Sequence, residues 1–259
     1  MSENCHSILF ARNGRLLSEI ASVSADLPRG HIIPEHFHPE DQLLFASRGV
    51  MTLRTREGIW VVPPLRGVWI PARTPHSVTM CAPVSMRTLY FLPKLCRALP
   101  RKCFVLGVSP LLRELILHAC KFQRLSRKVA VQRRVVELLV DQLKAVETAP
   151  LQLPYPVDRR AQRIAIELAK NPSDQKTLKA HCKECGASQR TIQRLFVEET
   201  HMSFARWRQQ LRLLHALQFL ACGEKVISAA LESGYNSTSA FIAMFRKQLG
   251  TTPTRYLQH

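Results

Sequence analysis

Apolar and polar positions alternate in short runs through the first third of the chain, at Gln42–Ser47, Val50–Thr55 and Gly58–Val62. Gly and Pro interrupt them, including Pro63, Pro64, Pro71 and Pro75. A period of two is the strand period, because successive side chains leave opposite faces of an extended backbone. Short strands between such turns predict a β-sandwich or barrel over residues 1–93. From Ser109 the period changes. Pro110–Gln123 and Lys128–Val146 carry apolar residues three and four apart with charges between, which predicts two amphipathic helices. The stretch APLQLPYPVD then places prolines at 150, 154 and 156. Proline lacks the N–H that a helix or ladder needs, so this is the predicted linker. Everything after Val157 reads as helix: Asp158–Lys170, Leu178–Cys185, Ser188–Thr200, Phe204–Cys222, Val226–Ser233 and Ser237–Leu249. The predicted fold class is therefore α+β multidomain, with an N-terminal β-barrel, a helical linker and an all-α C-terminal domain. The boundaries fall at 1–108 (core about 30–93), 109–156 and 157–259.

Two C-terminal segments share one layout. In residues 177–200 a helix ends near Gly186, Ser188 caps the next, and Ile192, Leu195 and Phe196 form its apolar face. Gln189, Arg190, Gln193 and Arg194 are left pointing outward. In residues 226–250 Gly234 makes the turn, Ser237 caps, and Phe241, Met244 and Phe245 pack inward. Both read as helix-turn-helix units. The helix between them, at about 1.5 Å per residue, spans nearly 30 Å. That length suits two recognition helices in successive major grooves, about 34 Å apart.

Charge strengthens this picture. The 259 residues carry 37 Lys and Arg against 19 Asp and Glu, a net +18. The excess rises along the chain, from +4 over 1–100 to +6 over 101–156 and +8 over 157–259. A polyanion is the simplest partner for such a surface, and double-stranded DNA fits two helix-turn-helix units. No apolar run nears the roughly 18 residues of a membrane span, so no membrane partner is expected. The start, MSENCHSILF, lacks the basic and apolar regions of a secretion signal. Eight cysteines, at 5, 81, 96, 103, 120, 182, 185 and 222, have no repeating spacing and read as reduced, mostly buried thiols. A cytoplasmic location is expected.

Residues 157–257 resemble the DNA-binding domain of the AraC/XylS family of transcription regulators. The resemblance rests on Gly186, Ser188, Arg190, Thr191, Ile192, Gln193, Arg194, Phe196, Glu199, Thr200, Arg212, Leu213, Ala216, Gly234, Tyr235, Ser237, Ser239, Phe241, Phe245, Gly250, Thr252, Pro253 and Tyr256. It implies that Arg190, Gln193 and Arg194 read bases. Arg suits guanine O6 and N7, and Gln suits adenine N6 and N7. The equivalent outward positions of the second unit are Thr238, Ser239, Ile242 and Ala243, and Ile and Ala offer only apolar contact to a thymine methyl. Sequence discrimination is thus expected in the first unit, flanked by Ser188 and Gln189. The second unit is expected to hold the backbone through Ser237, Thr238, Arg246 and Lys247.

Two departures stand out. His201 occupies the position where the family has the glycine that ends the recognition helix, and histidine reaches positive φ at some cost. His181, Cys182 and Cys185 (HCKEC) invite a zinc reading, but they lie within one helix and a closed site needs more ligands. Buried thiols of a helix core are the expectation.

In the N-terminal domain Gly30, His36, His38, Gln42 and Gly49 fall where the first cupin motif places its residues, and His76 falls at the histidine of the second. The segment from His36 to about Leu92 is similar to the cupin-type (RmlC-like) sensory domain of one branch of these regulators. The resemblance implies that His36, His38, Gln42 and His76 bind an effector. His36, His38 and His76 would hold a divalent metal if the site is metallated. Gln42 replaces the usual glutamate and is a weaker donor, and Arg73 replaces a usual glycine. The alternative to metal is an organic effector, with Phe37, Phe45, Trp60 and Trp69 as candidate lining or as plain core.

The expected function is an effector-responsive, sequence-specific regulator, activator or repressor, of a nearby operon such as a transporter gene. A homodimer is expected, with RNA polymerase as a further partner. The helices at 109–146 would either pair across that dimer or cover the barrel. No catalysis is expected. The rival reading is a metal-dependent cupin enzyme with an accessory DNA-binding domain, which Gln42 argues against. A third is an architectural DNA binder with an unliganded barrel.

Overall fold

The computed structural model describes residues 18–64, 66–146, 148–149 and 151–257. Cys5 and the N-terminal stretch read for a secretion signal lie outside the described residues. The chain forms two compact units. One takes the described residues up to Thr55 with Trp60–Gln152, the other Arg56–Ile59 with Leu153 onward.

The first unit is built from β1 (Ile20–Leu27), β2 (Ile32–His36), β3 (Asp41–Arg48), β4 (Met51–Thr55), β5 (Gly58–Val62), β6 (Arg66–Ile70), β7 (His76–Met80), β8 (Val84–Phe91), β9 (Phe104–Gly107), β10 (Arg124–Leu125) and β11 (Thr148–Ala149). One sheet runs β10-β1-β8-β3-β6-β9-β11, and a second places β5, β4, β7 and β2 in that order. The barrel expected from the sequence is thus realised as two antiparallel sheets in a sandwich-like arrangement. Gly49 makes the β3–β4 turn at φ 83°, and a Cβ there would sit 2.2 Å from the Pro83 carbonyl oxygen, so only glycine fits.

Strand parity sorts the side chains. Leu43, Phe45, Leu89, Phe91 and Trp69 share one buried cluster with Leu112, Ile116, Val136, Leu139 and Leu143. The last five come from α1 (Pro110–Ala119) and α2 (Ala130–Lys144), so these helices cover a face of the larger sheet. Each such side chain contributes about 1.5–3 kcal/mol by burial. Leu111, Val131 and Leu138 remain exposed on the same helices. α1 starts where Ser109 accepts from Leu112 N at 3.1 Å, but it stops at Ala119, short of the periodic pattern. The cause is β10, which pairs Leu125 with Ile20 of β1 and draws the chain into extended geometry. The proline-rich stretch is also tied down: Val61 N donates to Leu151 O at 3.1 Å.

The second unit is helical: α3 (Arg159–Lys170), α4 (Leu178–Cys185), α5 (Gln189–Thr200), α6 (Phe204–Ala221), α7 (Val226–Glu232), α8 (Thr238–Leu249) and a short α9 (Pro253–Leu257) that the periodicity did not reveal. Asp158 caps α3, accepting from Arg160 N at 2.9 Å, and its carboxyl is held at about 2, chiefly by the Arg160 guanidinium. Glu199 of α5 supports the same end, accepting from Val157 N and Asp158 N at 2.6 and 3.0 Å. Phe196 packs between Phe204 and Trp207, with ring centroids 5.2 and 5.3 Å away. Around the second turn, Phe241 meets Tyr235 at 5.3 Å and Phe245 at 5.7 Å.

Candidate nucleic-acid interface and histidine cluster

The first helix-turn-helix is α4 and α5. α4 ends on Gly186 at φ 69°, and Ser188 caps α5 by accepting from Thr191 N at 3.1 Å. Ile192, Leu195 and Phe196 are buried, while Gln189, Arg190, Gln193 and Arg194 are exposed on the opposite face. The outward set read from the sequence is therefore outward in the structure. One partner was not foreseen: Arg194 Nη1 donates to both carboxylate oxygens of Glu198, at 2.9 and 3.2 Å. The pair is an i, i+4 contact on the face that would meet DNA.

The second unit is α7 and α8. Ser237 caps α8, accepting from Ala240 N at 3.1 Å, and Phe241, Met244 and Phe245 are buried. Ser239, Ala243, Arg246 and Lys247 are exposed, and Thr238 and Ile242 are half-buried. Gly234 sits at φ 80° against the Arg212 guanidinium, 3.0 Å from where a Cβ would stand. From α6, Arg208 donates to Lys176 O at 2.8 Å and Arg212 to Asp174 O at 3.1 Å. Gln175 Nε2 donates to Gly234 O at 3.1 Å. These bonds fasten the segment before α4 to α6 and to the turn of the second helix-turn-helix.

Among the described residues, His201 and Arg73 are the non-glycine residues at positive φ, 57° and 63°. Both were singled out as standing where the family motifs have glycine. The backbone keeps the left-handed geometry although the residue has changed.

The histidines of the first unit converge. His36 and His76 are direct cross-strand partners at the ends of β2 and β7, with ring centroids 4.4 Å apart. His38 lies 5.2 Å from His76 and 5.9 Å from His36. One ligand atom from each of the three lies within 4.8 Å of the others. Each ring is oriented the same way. His36 Nδ1 is 2.8 Å from Pro34 O, His38 Nδ1 is 3.1 Å from Glu40 O, and His76 Nδ1 is 2.8 Å from Thr74 O. A carbonyl only accepts, so the Nδ1 atoms carry the protons and a neutral ring presents its lone pair at Nε2. The Nε2 of His76 is buried without a hydrogen-bond partner. Burial, reinforced by the neighbouring His36 and His38, pushes the His76 imidazole down to about 4, so it stays neutral.

Gln42 belongs to the same cluster, its side-chain Oε1 2.8 Å from His38 Nε2. An ion bound through His38 Nε2 would have to displace Gln42 from it. The sequence did not single out Tyr90, which pairs with Gln42 across β3 and β8 and stacks edge-on to His38 at 4.9 Å. Of the four candidate lining aromatics, Phe45 and Trp69 belong to the helix-covered core and Phe37 is exposed.

Among the described residues, no helix is long and apolar enough to cross a membrane.

Comparison with known proteins gives matches on both units. Residues 21–149 match the family described as AraC-like ligand binding domain, and residues 181–259 match the helix-turn-helix domain family. The HTH-type transcriptional regulator NimR of Escherichia coli is 37% identical over 224 residues, covering 86% of this chain and 82% of NimR. The virulence regulon transcriptional activator VirF of Yersinia enterocolitica is 26% identical over 223 residues, covering 83% and 79% of the two chains. A crystal structure of ToxT from Vibrio cholerae covers 93% of this chain and 97% of its own at 12% identity, with a TM-score of 0.40.

Proposed function

Because the chain belongs to the AraC-type family of transcription regulators, we propose that it senses an effector at His36, His38, His76 and Gln42 and reads its operator mainly through Arg190, Gln193 and Arg194. It is a DNA-binding regulator with a ligand-binding domain, and the proposal concerns which residues do each task. Gln189 and Ser188 flank the reading face, while Ser237, Thr238, Ser239, Arg246 and Lys247 hold backbone and Ile242 contacts a base methyl. The sensory region is assigned to 1–108, with 109–156 as the helical segment that covers its sheet and leads on, and DNA binding to 157–259.

The observation that carries the sensory assignment is the common orientation of the three imidazoles. Each Nδ1 faces a backbone carbonyl, which leaves three Nε2 atoms to converge. That donor set fits a divalent metal, and the partnerless buried Nε2 of His76 is the atom most in need of one. A bound ion would supply positive charge and coordination at the junction of β2 and β7. The chain's own residues then determine the response: the backbone carbonyls fix the ring tautomers, and Gln42 Oε1 must leave His38 Nε2 for an ion to bind there. For the response to reach DNA, the effector must bind two states of the protein with different affinity. The histidines are read as a sensor rather than a catalytic centre, with Gln42 where a metalloenzyme cupin would carry glutamate. The regulator acts in the cytoplasm as a homodimer with RNA polymerase as a further partner. As activator or repressor, it controls a nearby operon such as a transporter gene.

Metal content of protein purified without an affinity tag, beside His36→Ala, tests the sensory reading. About one ion per chain, lost in the variant, is expected for a metal sensor. No metal above background in either protein turns the same site to an organic effector held by hydrogen bonds.

A further inference from the structure

The first helix-turn-helix contains a second convergence of metal-ligating groups, independent of the histidine cluster in the sensory unit. His181 of α4 is 2% exposed, and neither of its ring nitrogens has a hydrogen-bond partner. A buried imidazole in that state has given up water and gained nothing in return. Glu184 lies one turn further along the same helix, and Glu167 faces it from α3. One ligand atom from each of these three residues lies within 4.8 Å of the others. Asp174 approaches as well, with Oδ2 4.0 Å from His181 Nε2, too far for a hydrogen bond.

Each carboxylate of the set also has a cationic neighbour. Lys176 Nζ donates to Glu184 Oε1 at 2.8 Å, and Arg163 Nε donates to Glu167 Oε1 at 3.1 Å. Each bond uses one oxygen of its carboxylate, and an ionised carboxylate keeps further lone pairs for a second cation. The thiols that the sequence set beside His181 take no part. Cys182 is buried, which pushes its thiol up, and Cys185 Sγ donates to Cys182 O at 3.5 Å. Neither joins the convergent set.

We infer that Glu167, His181 and Glu184 form a divalent transition-metal site, of the kind zinc occupies, that fastens α3 to α4 behind the first recognition helix. Imidazole nitrogen and carboxylate oxygen are both zinc donors, with solvent free to complete the coordination. A histidine and a glutamate three apart share one helix face, and the third ligand comes from the neighbouring helix, so the ion bridges two elements. The α4 helix sets the turn into α5, and holding it steady favours the geometry that presents Arg190, Gln193 and Arg194.

The test is calorimetric titration of the full chain with zinc chloride, in a His36→Ala, His38→Ala, His76→Ala background that removes any ion held in the sensory unit. One saturable equivalent per chain is expected. Glu167→Gln with Glu184→Gln should weaken it at least tenfold, and these half-exposed residues can be changed without opening the core. His181→Gln should abolish it, with circular dichroism checking that the variant folds. Cys182→Ser with Cys185→Ser should leave it unchanged. The site is overturned by a background protein that binds no zinc, by an equivalent that survives the double glutamine variant, or by one lost with the two cysteines.

Discussion

Arg194 is held by Glu198, both of whose carboxylate oxygens accept from the same guanidinium nitrogen, at 2.9 and 3.2 Å. The pair is solvent-exposed and contributes little to stability. Its consequence is for recognition. The guanidinium is oriented before DNA arrives, yet a guanine must compete with the carboxylate for it. Truncating Arg194 to alanine should cost roughly 1–3 kcal/mol on one operator base and much less when that base is changed. Glu198→Gln should raise affinity for all duplexes, because it removes a negative charge from the face that meets phosphate. Equal loss from Arg194→Ala on specific and random DNA would contradict the base-reading role. Fluorescence anisotropy at several salt concentrations measures both.

The second unit offers a contrast. Arg246 and Lys247 are exposed in the last turn of α8, while Ile242 and Ala243 occupy the outward positions nearer its start. Arg246→Ala and Lys247→Ala should each weaken binding to matched and mismatched operators alike, lowering the salt slope by about 1. A sequence-selective loss from either would move base readout into this unit.

His201 and Arg73 hold left-handed backbone without being glycine. The Cβ of an L-residue costs roughly 1–2 kcal/mol there, partly offset by the greater chain entropy glycine has when unfolded. His201→Gly and Arg73→Gly should therefore each stabilise the protein, by up to ~1 kcal/mol. Chemical denaturation read by circular dichroism checks this, and destabilisation by either would mean the side chain makes a contact worth more than the strain.

The pH dependence follows from His76. Its folded value of about 4 lies below the ordinary 6.5, so the unfolded chain takes up the proton first as pH falls. In chelator-treated protein this contribution is fully present above about 6.5 and is lost as pH drops toward 4. It totals roughly 3 kcal/mol. His76→Gln should flatten the stability profile over that window, and an unchanged slope would show that His76 is solvated and not buried in the metal-free state.

Much of this was legible in the sequence, for physical reasons that vary by element. The helices of the second unit follow a 3.6-residue period strong enough to set their outward faces, so Gln189, Arg190, Gln193 and Arg194 emerge exposed as read. The strand period placed β5 at Gly58–Val62, and motif spacing brought His36, His38 and His76 together. What could not be read depends on register and on packing between distant segments. Tyr90 reaches His38 only because β8 pairs Tyr90 with Gln42. Phe45 lies at odd offset from Gln42 along β3 and so joins the helix-covered core instead of the histidine cluster. Glu167 meets His181 through a helix crossing that spacing along one helix cannot reveal. α1 stops short of its periodic pattern because Leu125 pairs with Ile20, a contact more than a hundred residues apart in sequence.

The central claim is that the chain recognises a particular duplex through the exposed face of α5, and selection of binders from a randomised duplex pool by the full-length protein tests it most directly. The account predicts one enriched motif, with guanine and adenine positions that lose their preference in Arg190→Ala, Gln193→Ala and Arg194→Ala proteins. A pool that binds in a salt-dependent manner yet yields no motif, or a motif unchanged by those three substitutions, would contradict it.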